Sequence, residues 1–257
     1  MSSAGSRVAV NFVKRIVIKV GTSTLTYDNG KMNLGGIDRL CRSISDLMNS
    51  GKEVLLVSSG AIGVGIGYLG LNARPQTTRE KQAIASVGQC ELMNAYSRSF
   101  SEYSYRCGQI LLTKDGITDK LTRANVTNTI ETLLEMGIIP IINENDSVST
   151  TEIMHNGTFG DNDTLSADVA CLANADLLVI LSDVDGLYDA NPKDNPSASR
   201  ISFVEAVTDD MLGLTALIAQ QSRGLPMAVS IDGPAGRWFQ AGRRFYTTRQ
   251  GQMDLAC

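Results

Sequence analysis

The sequence predicts an α/β protein, a three-layer α/β/α sandwich around a mostly parallel central sheet. Three observations carry that prediction. Short β-branched apolar runs alternate with stretches whose apolar residues recur at helical spacing. No hairpin turn joins one run to the next. The polar, glycine-bearing segments fall just after the apolar runs. Strands separated by helices pair in parallel and need helices on both faces to cover them.

The elements follow in order. Val13 to Val20 is a β-branched apolar run that stops at Gly21, the pattern of a buried strand. Ile37, Leu40, Cys41, Ile44, Leu47 and Met48 form a helical stripe closed by Gly51. A second strand, Val54 to Val57, leads into Ser58, Ser59 and Gly60, and a third runs from Gln109 to Thr113. Thr127 to Met136 reads as a helix ending at Gly137, followed by a strand from Ile138 to Ile142. A helix from about Leu165 to Leu172 precedes a strand from Leu177 to Leu181. Parallel sheets bind ligands where strand carboxyl ends meet loops, so the segments after each strand are the ones to read for chemistry.

The first such loop is Lys19-Val20-Gly21-Thr22-Ser23. A lysine inside an apolar strand is costly unless its ammonium reaches water or an anion. The adjacent Gly21, Thr22 and Ser23 offer amides and hydroxyls for an anion. The second loop, Ser58 to Gly63, places small residues between a strand and a helix, where backbone N–H groups can cradle an anion; a plain tight turn has the same composition. Gly65-Ile66-Gly67-Tyr68-Leu69-Gly70 satisfies GxGxxG, but it begins eight residues after Val57 rather than at the strand end. The acidic residue about twenty positions on, near Glu91, follows no apolar strand, so a dinucleotide site is not expected. No Walker-type P-loop is present.

The third loop is the densest. Asn143-Glu144-Asn145-Asp146 follows one strand, and Gly160-Asp161-Asn162-Asp163 opens the next helix. Helix capping accounts for Asp161 or Asp163 alone but not for the double cluster, which suits a site for an amino acid and Mg²⁺-bound phosphates. The fourth is Ser182-Asp183-Val184-Asp185-Gly186, again at a strand end, where an acidic turn is the alternative.

Composition narrows the function classes. The 257 residues suffice for one large α/β domain or two small ones. Net charge is −4, and the 23 basic residues are scattered except for four arginines in the tail, which argues against nucleic acid. Five widely spaced cysteines, none with metal or redox spacing, point to reduced thiols and a cytoplasmic location. No run reaches membrane-spanning length. His155 is the only histidine, so Ser-His-Asp triads and histidine-ligated zinc are hard to build, and no protein metal cage is expected.

Taken together, IVIKVGTSTLT, EVLLVSSGAIGVG, KQAIASVGQ, IIPIINENDSVST, FGDNDTLSADVA and LLVILSDVDGLYDANP resemble the amino-acid kinase family, in that family's order, from about residue 15 to about 205. The loops resemble specifically the members that phosphorylate the side-chain carboxylate of free glutamate. The resemblance implies ATP-dependent formation of L-glutamyl 5-phosphate, the first step of proline biosynthesis, with ATP and Mg²⁺ as cofactors. It implies that Lys19 contacts phosphate and that Gly21 and Gly60 offer amides to the transferring group. Ser59, Asp146 and Asn162 would hold glutamate, Asp163 would organise the catalytic lysines, and Ser182 and Asp183 would lie at the nucleotide. Proline as feedback inhibitor and a homo-oligomer are expected on the same ground. A single domain over residues 1–257 is expected, its N-terminal half binding glutamate and its C-terminal half ATP, without an RNA-binding-like C-terminal domain.

The sequence departs from the family at one point. Members carry a second glycine-rich segment, roughly GTGGM-x-T-K, that supplies another lysine. After Tyr188 the only lysine here is Lys193, and Asp209 to Leu217 is too short to be that segment. Either a flexible segment is missing from this sequence but not from the protein, or the protein lacks it and is a weak or inactive kinase. The first is favoured because no replacement cation is evident, Arg223 being the nearest. The alternatives are a kinase of the same family acting on N-acetylglutamate or carbamate and, because that segment is missing, a catalytically impaired glutamate- or proline-binding regulator.

Overall fold

Strand β1 (Arg15–Val20) is buried at every residue after Arg15, because it pairs in parallel with a neighbour on each side. These neighbours are β2 (Glu53–Ser58) and β5 (Leu177–Leu181). The computed structural model describes residues 13–27, 29–149, 161–181, 187–190, 195 and 197–201. With β3 (Arg106–Leu112) and β4 (Ile138–Glu144) the sheet has the order β3-β4-β2-β1-β5, parallel throughout. The chain thus builds outward from β1 on one side and then crosses to place β5 on the other. The carboxyl end of β1 is therefore the switch point at which α/β sheets open a crevice.

Alternation along each strand divides the core in two. Ile16, Ile18 and Val20 join the cluster covered by α2 (Leu34–Asn49) and α4 (Thr78–Glu102), which contribute Ile37, Ile44, Leu92, Tyr96 and Phe100. Val17 belongs to the opposite cluster, with Ile130 of α6 (Lys120–Glu135) and Leu165 and Val169 of α7 (Asp161–Leu172). Helices on both faces complete the three expected layers. Each fully buried aliphatic side chain contributes roughly 1.5–3 kcal/mol, so the two clusters dominate stability.

Every strand and helix expected from periodicity is present, with Leu177–Leu181 unshifted and other ends within four residues, except that the helix expected from Thr127 already begins at Lys120. Gly51 and Gly137 both take positive φ, +83° and +68°, as glycines closing helices do. Periodicity did not reveal α4, whose capping box pairs Thr77 with Glu80. It is broken up by Gly88 and polar residues, and its stability comes from packing. Also unforeseen are α1 (Thr22–Leu25), α3 (Ala61–Leu69) and α5 (Lys114–Thr118). The expectation that no strands pair as a hairpin holds for the main sheet only. Outside it, β6 (Leu187–Tyr188) and β7 (Arg200–Ile201) pair antiparallel. Among the described residues no helix is long and apolar enough to cross a membrane.

Candidate functional site

Burying polar side chains is costly unless they are partnered, so where they gather is informative. Of the ten buried polar or charged residues among those described, seven lie at strand carboxyl ends or in the loops that follow: Lys19, Ser58, Ser59, Asn143, Glu144, Asp146 and Ser149. The amino-terminal ends of the strands are held instead by an ion-pair network of Arg15 with Glu53 and Glu131.

Lys19 shares the parity of Val17 and so projects onto the face covered by α7. The first turn of α7 carries Asp163, and Lys19 Nζ meets Asp163 Oδ1 at 2.7 Å. The lysine is 5% exposed, so it is not an edge residue reaching water. A Cβ built on Gly21 would lie 3.8 Å from Nζ, which places the ammonium over the glycine turn. Lys19, Gly21 and Asp163 are thus brought together.

The loop after β2 lies against the loop after β1. Ser59 donates its backbone N–H to the Val20 carbonyl at 3.1 Å. Gly60 adopts φ +99°, and a Cβ there would meet Leu25 Cδ1 at 3.4 Å and Thr22 Cα at 3.7 Å. Side chains other than glycine strain at this φ, so the turn is specified by Gly60. As N-cap of α3 it provides no side-chain cap, which leaves the first-turn amides of that helix without a side-chain acceptor at the cap position.

In the acidic loop after β4, part of the polar chemistry serves the loop itself. Asn143 donates through Nδ2 to Gln89 Oε1 at 2.8 Å and accepts from the Glu144 N–H at 2.8 Å. The buried Glu144 carboxylate accepts from Ser149 Oγ at 2.6 Å. Part of the acidity noticed in the sequence is therefore loop architecture. Asp146 sits in the following turn, 8% exposed. Asn162 and Asp163 are half-buried in the first turn of α7. Ser182, Asp183 and the short segment around residues 209–217 lie outside the described residues.

The GxGxxG match is a packing motif. Gly65 and Gly67 lie within α3, and a Cβ on either would overlap backbone oxygens, of Ile84 and Gly30 respectively. Gly70 is the helix C-cap at φ +65°. Gly88 of α4 faces the Ala61 carbonyl just as closely, so the glycines let the two helices touch backbone to backbone.

Sequence reasoning missed two residues of α4 that reach the site edge, Gln89 beneath Asn143 and Tyr96 beneath Ser58. The signal was available in Gln89, Leu92, Tyr96 and Phe100, spaced by three and four residues, with one polar residue on an apolar stripe. No group of three or more His, Cys, Asp or Glu suited to a metal occurs among the described residues.

Comparison with known proteins is consistent with this geometry. The sequence model of the amino acid kinase family matches residues 14–222. A glutamate 5-kinase of Clostridium perfringens is 55% identical over 205 residues, 80% of this chain and 76% of the relative. A glutamate 5-kinase of Enterococcus faecalis is 55% identical over 201 residues, 78% of this chain and 74% of the relative. Among solved structures, UMP kinase of Bacillus anthracis superposes with TM-score 0.56 at 16% identity, covering 95% of this chain and 90% of that one. UMP kinase of Ureaplasma parvum gives TM-score 0.53 at 18% identity, over 82% and 83%. At that identity the two structures speak for the fold alone.

Proposed function

The chain belongs to the amino acid kinase family, among its glutamate 5-kinases, and from that premise we propose how its residues transfer the γ-phosphoryl group of ATP to the side-chain carboxylate of L-glutamate. The enzyme is a phosphotransferase with a carboxyl group as acceptor. The observation that best supports our assignment of roles is the pairing of buried Lys19 with half-buried Asp163 at the switch point, over Gly21.

A glutamate side-chain carboxyl has a reference pKa of about 4.3 and is already ionised at neutral pH. No general base is required. One carboxylate oxygen attacks the γ-phosphorus in line; the new O–P bond forms as the bond to the β,γ-bridging oxygen breaks, and ADP leaves with the electron pair. The protein's task is to bring two anions together and neutralise the transferring charge. Lys19 does so with its ammonium, and the Gly21 and Gly60 amides donate to the phosphoryl oxygens. Ser59, Asp146 and Asn162 hold glutamate, with Asp146 as counter-ion to the α-ammonium. Asp163 keeps Lys19 in place, and Ser182 and Asp183 belong to the nucleotide side.

Mg²⁺ is usually held by one or two carboxylates, substrate phosphates and water rather than by an all-protein cage. Asp163 is the carboxylate beside the phosphate-side lysine, so the donor set fits a nucleotide-borne ion, which when bound supplies further charge neutralisation at the phosphates. Proline, an α-amino acid like glutamate, is proposed to compete at the same subsite.

The test is a γ-glutamyl hydroxamate assay with glutamate and N-acetylglutamate in parallel. Glutamate-dependent product with ATP is expected. Product with N-acetylglutamate alone would reassign the substrate, and binding of glutamate or proline without turnover would make the chain a regulator.

A further inference from the structure

The buried hydroxyl pair Ser58–Tyr96 has no part in the reaction described above, yet its donors and acceptors follow from geometry. Ser58 Oγ lies 3.1 Å from the Ser59 carbonyl oxygen, which only accepts, so the Ser58 proton goes there. Ser58 has no second proton for Tyr96 OH at 2.9 Å, so the phenol donates to Ser58 Oγ. Burial pushes the Tyr96 phenol far above its ordinary value despite the Ser58 bond, and it stays protonated at neutral pH. A directional relay results, from Tyr96 O–H to Ser58 O–H to the Ser59 carbonyl. Both side chains at its head are fully buried.

The relay ends on the Ser59–Gly60 peptide. In a trans peptide C=O and N–H point to opposite sides, so drawing the Ser59 carbonyl toward Ser58 aims the Gly60 N–H away from the core. Without such a tether this peptide unit can flip, because glycine populates positive and negative φ about equally. Ser59 N–H is anchored separately on Val20 and does not fix the following unit. We infer that Tyr96 and Ser58 are positioning residues that hold the Ser59–Gly60 peptide in the orientation presenting the Gly60 N–H to the transferring phosphoryl group. The inference rests on the kinase reading of the site.

The experiment compares the full chain with Tyr96→Phe, Ser58→Ala and the double variant, by steady-state ADP release with glutamate and by thermal unfolding. Tyr96→Phe should lower kcat about tenfold, part of the 10²–10³-fold lost when a preorganised donor is deleted. KM for both substrates should stay within about twofold, since ground-state binding does not depend on that amide. Ser58→Ala should lower kcat at least as far, and the double variant no further, because both side chains belong to one relay. A purely structural role would lower the unfolding temperature and leave kcat unchanged. Turnover within about twofold of wild type for both single variants, whatever their stability, overturns the inference. A rise in KM with unchanged kcat does so as well. Should Tyr96→Phe fold poorly, Ser58→Ala decides by the same criterion. A wild-type chain without glutamate-dependent turnover overturns the kinase reading and this inference together; an active wild type with unchanged variants overturns this inference alone.

Discussion

Lys19 and Asp163 stand 2.7 Å apart across the sheet–helix boundary, and their exposures are unequal: the lysine side chain is 6% accessible and the aspartate 27%. Removing one partner is therefore not equivalent to removing the other. The buried ammonium depends on the carboxylate for its counter-charge, whereas the carboxylate can turn to water.

This asymmetry predicts opposite stability effects at one ion pair. Lys19→Met should leave stability unchanged or raised, because an apolar side chain of similar length suits the strand. Asp163→Asn should destabilise the ATP-free protein by up to about 3 kcal/mol, as an uncompensated buried charge does. ATP should restore part of that loss by supplying phosphate as counter-ion. Both variants should lose activity. Lys19→Ala should lower kcat by about two to four orders of magnitude, and Lys19→Arg should recover little, since a planar fork does not reproduce a point charge. Activity of Lys19→Ala within threefold of wild type, in protein shown by circular dichroism to be folded, would remove Lys19 from the mechanism.

Asp146→Asn should raise the glutamate KM about tenfold to a hundredfold while the ATP KM stays nearly constant, as expected for loss of one charge-assisted contact. Equal changes in both constants would reject the assignment. If proline occupies the same subsite, its inhibition should weaken as glutamate rises, and Asp146 and Asn162 variants should be less sensitive. Inhibition independent of glutamate concentration would place proline elsewhere.

The glycines of α3 and α4 separate two costs. Gly88→Ala drives a Cβ into the Ala61 backbone, and destabilisation of about 3 kcal/mol or more is expected from overpacking that only a helix shift relieves. Gly70→Ala has open space but φ +65°, so about 1 kcal/mol of left-handed strain is expected. Denaturant midpoints at constant m-value measure both. A dinucleotide cradle would instead show NAD binding sensitive to Gly65→Ala.

Acid lability should have a share at the amino-terminal ends of β1 and β2. Burial tends to raise the Glu53 carboxyl, but the hydrogen bonds and charges of Lys14 and Arg15 outweigh it and hold it below the ordinary range. A depressed folded value means the stabilisation is present above the unfolded value, about 4.3, and is lost as pH falls through the folded one. Glu53→Gln should therefore be less stable than wild type at pH 7, by no more than about 1 kcal/mol, and the gap should close below about pH 4. A gap that widened on acidification would contradict the sign. Activity at neutral pH should be unaffected.

The fold class and the site's chemical character were legible in the sequence for physical reasons. Val17, Ile18 and Val20 lie in a strand buried on both faces, and alternation of such runs with helices points to a covered parallel sheet. Lys19 stood out because a charge in that run demands an anion. The failures have physical causes as well. Glu144 carries the same carboxylate as Asp146, and composition cannot tell that Ser149 holds Glu144 within its own loop. That pairing requires knowing how the turn after β4 brings Ser149 back to the strand end. Likewise spacing argued against a nucleotide fingerprint at Gly65, Gly67 and Gly70, but the close approaches of Ile84 to Gly65 and of Gly30 to Gly67 that these glycines permit are visible only in the folded chain. The sequence by itself determined the five strands of the main sheet, three of its covering helices and the loops that bear polar groups, because apolar spacing is a local property. Which polar groups meet was decided only by the tertiary structure. The pairing of Lys19 with Asp163, and of Ser58 with Tyr96, depends on strand order and on the face each side chain takes, and neither is encoded within any one segment.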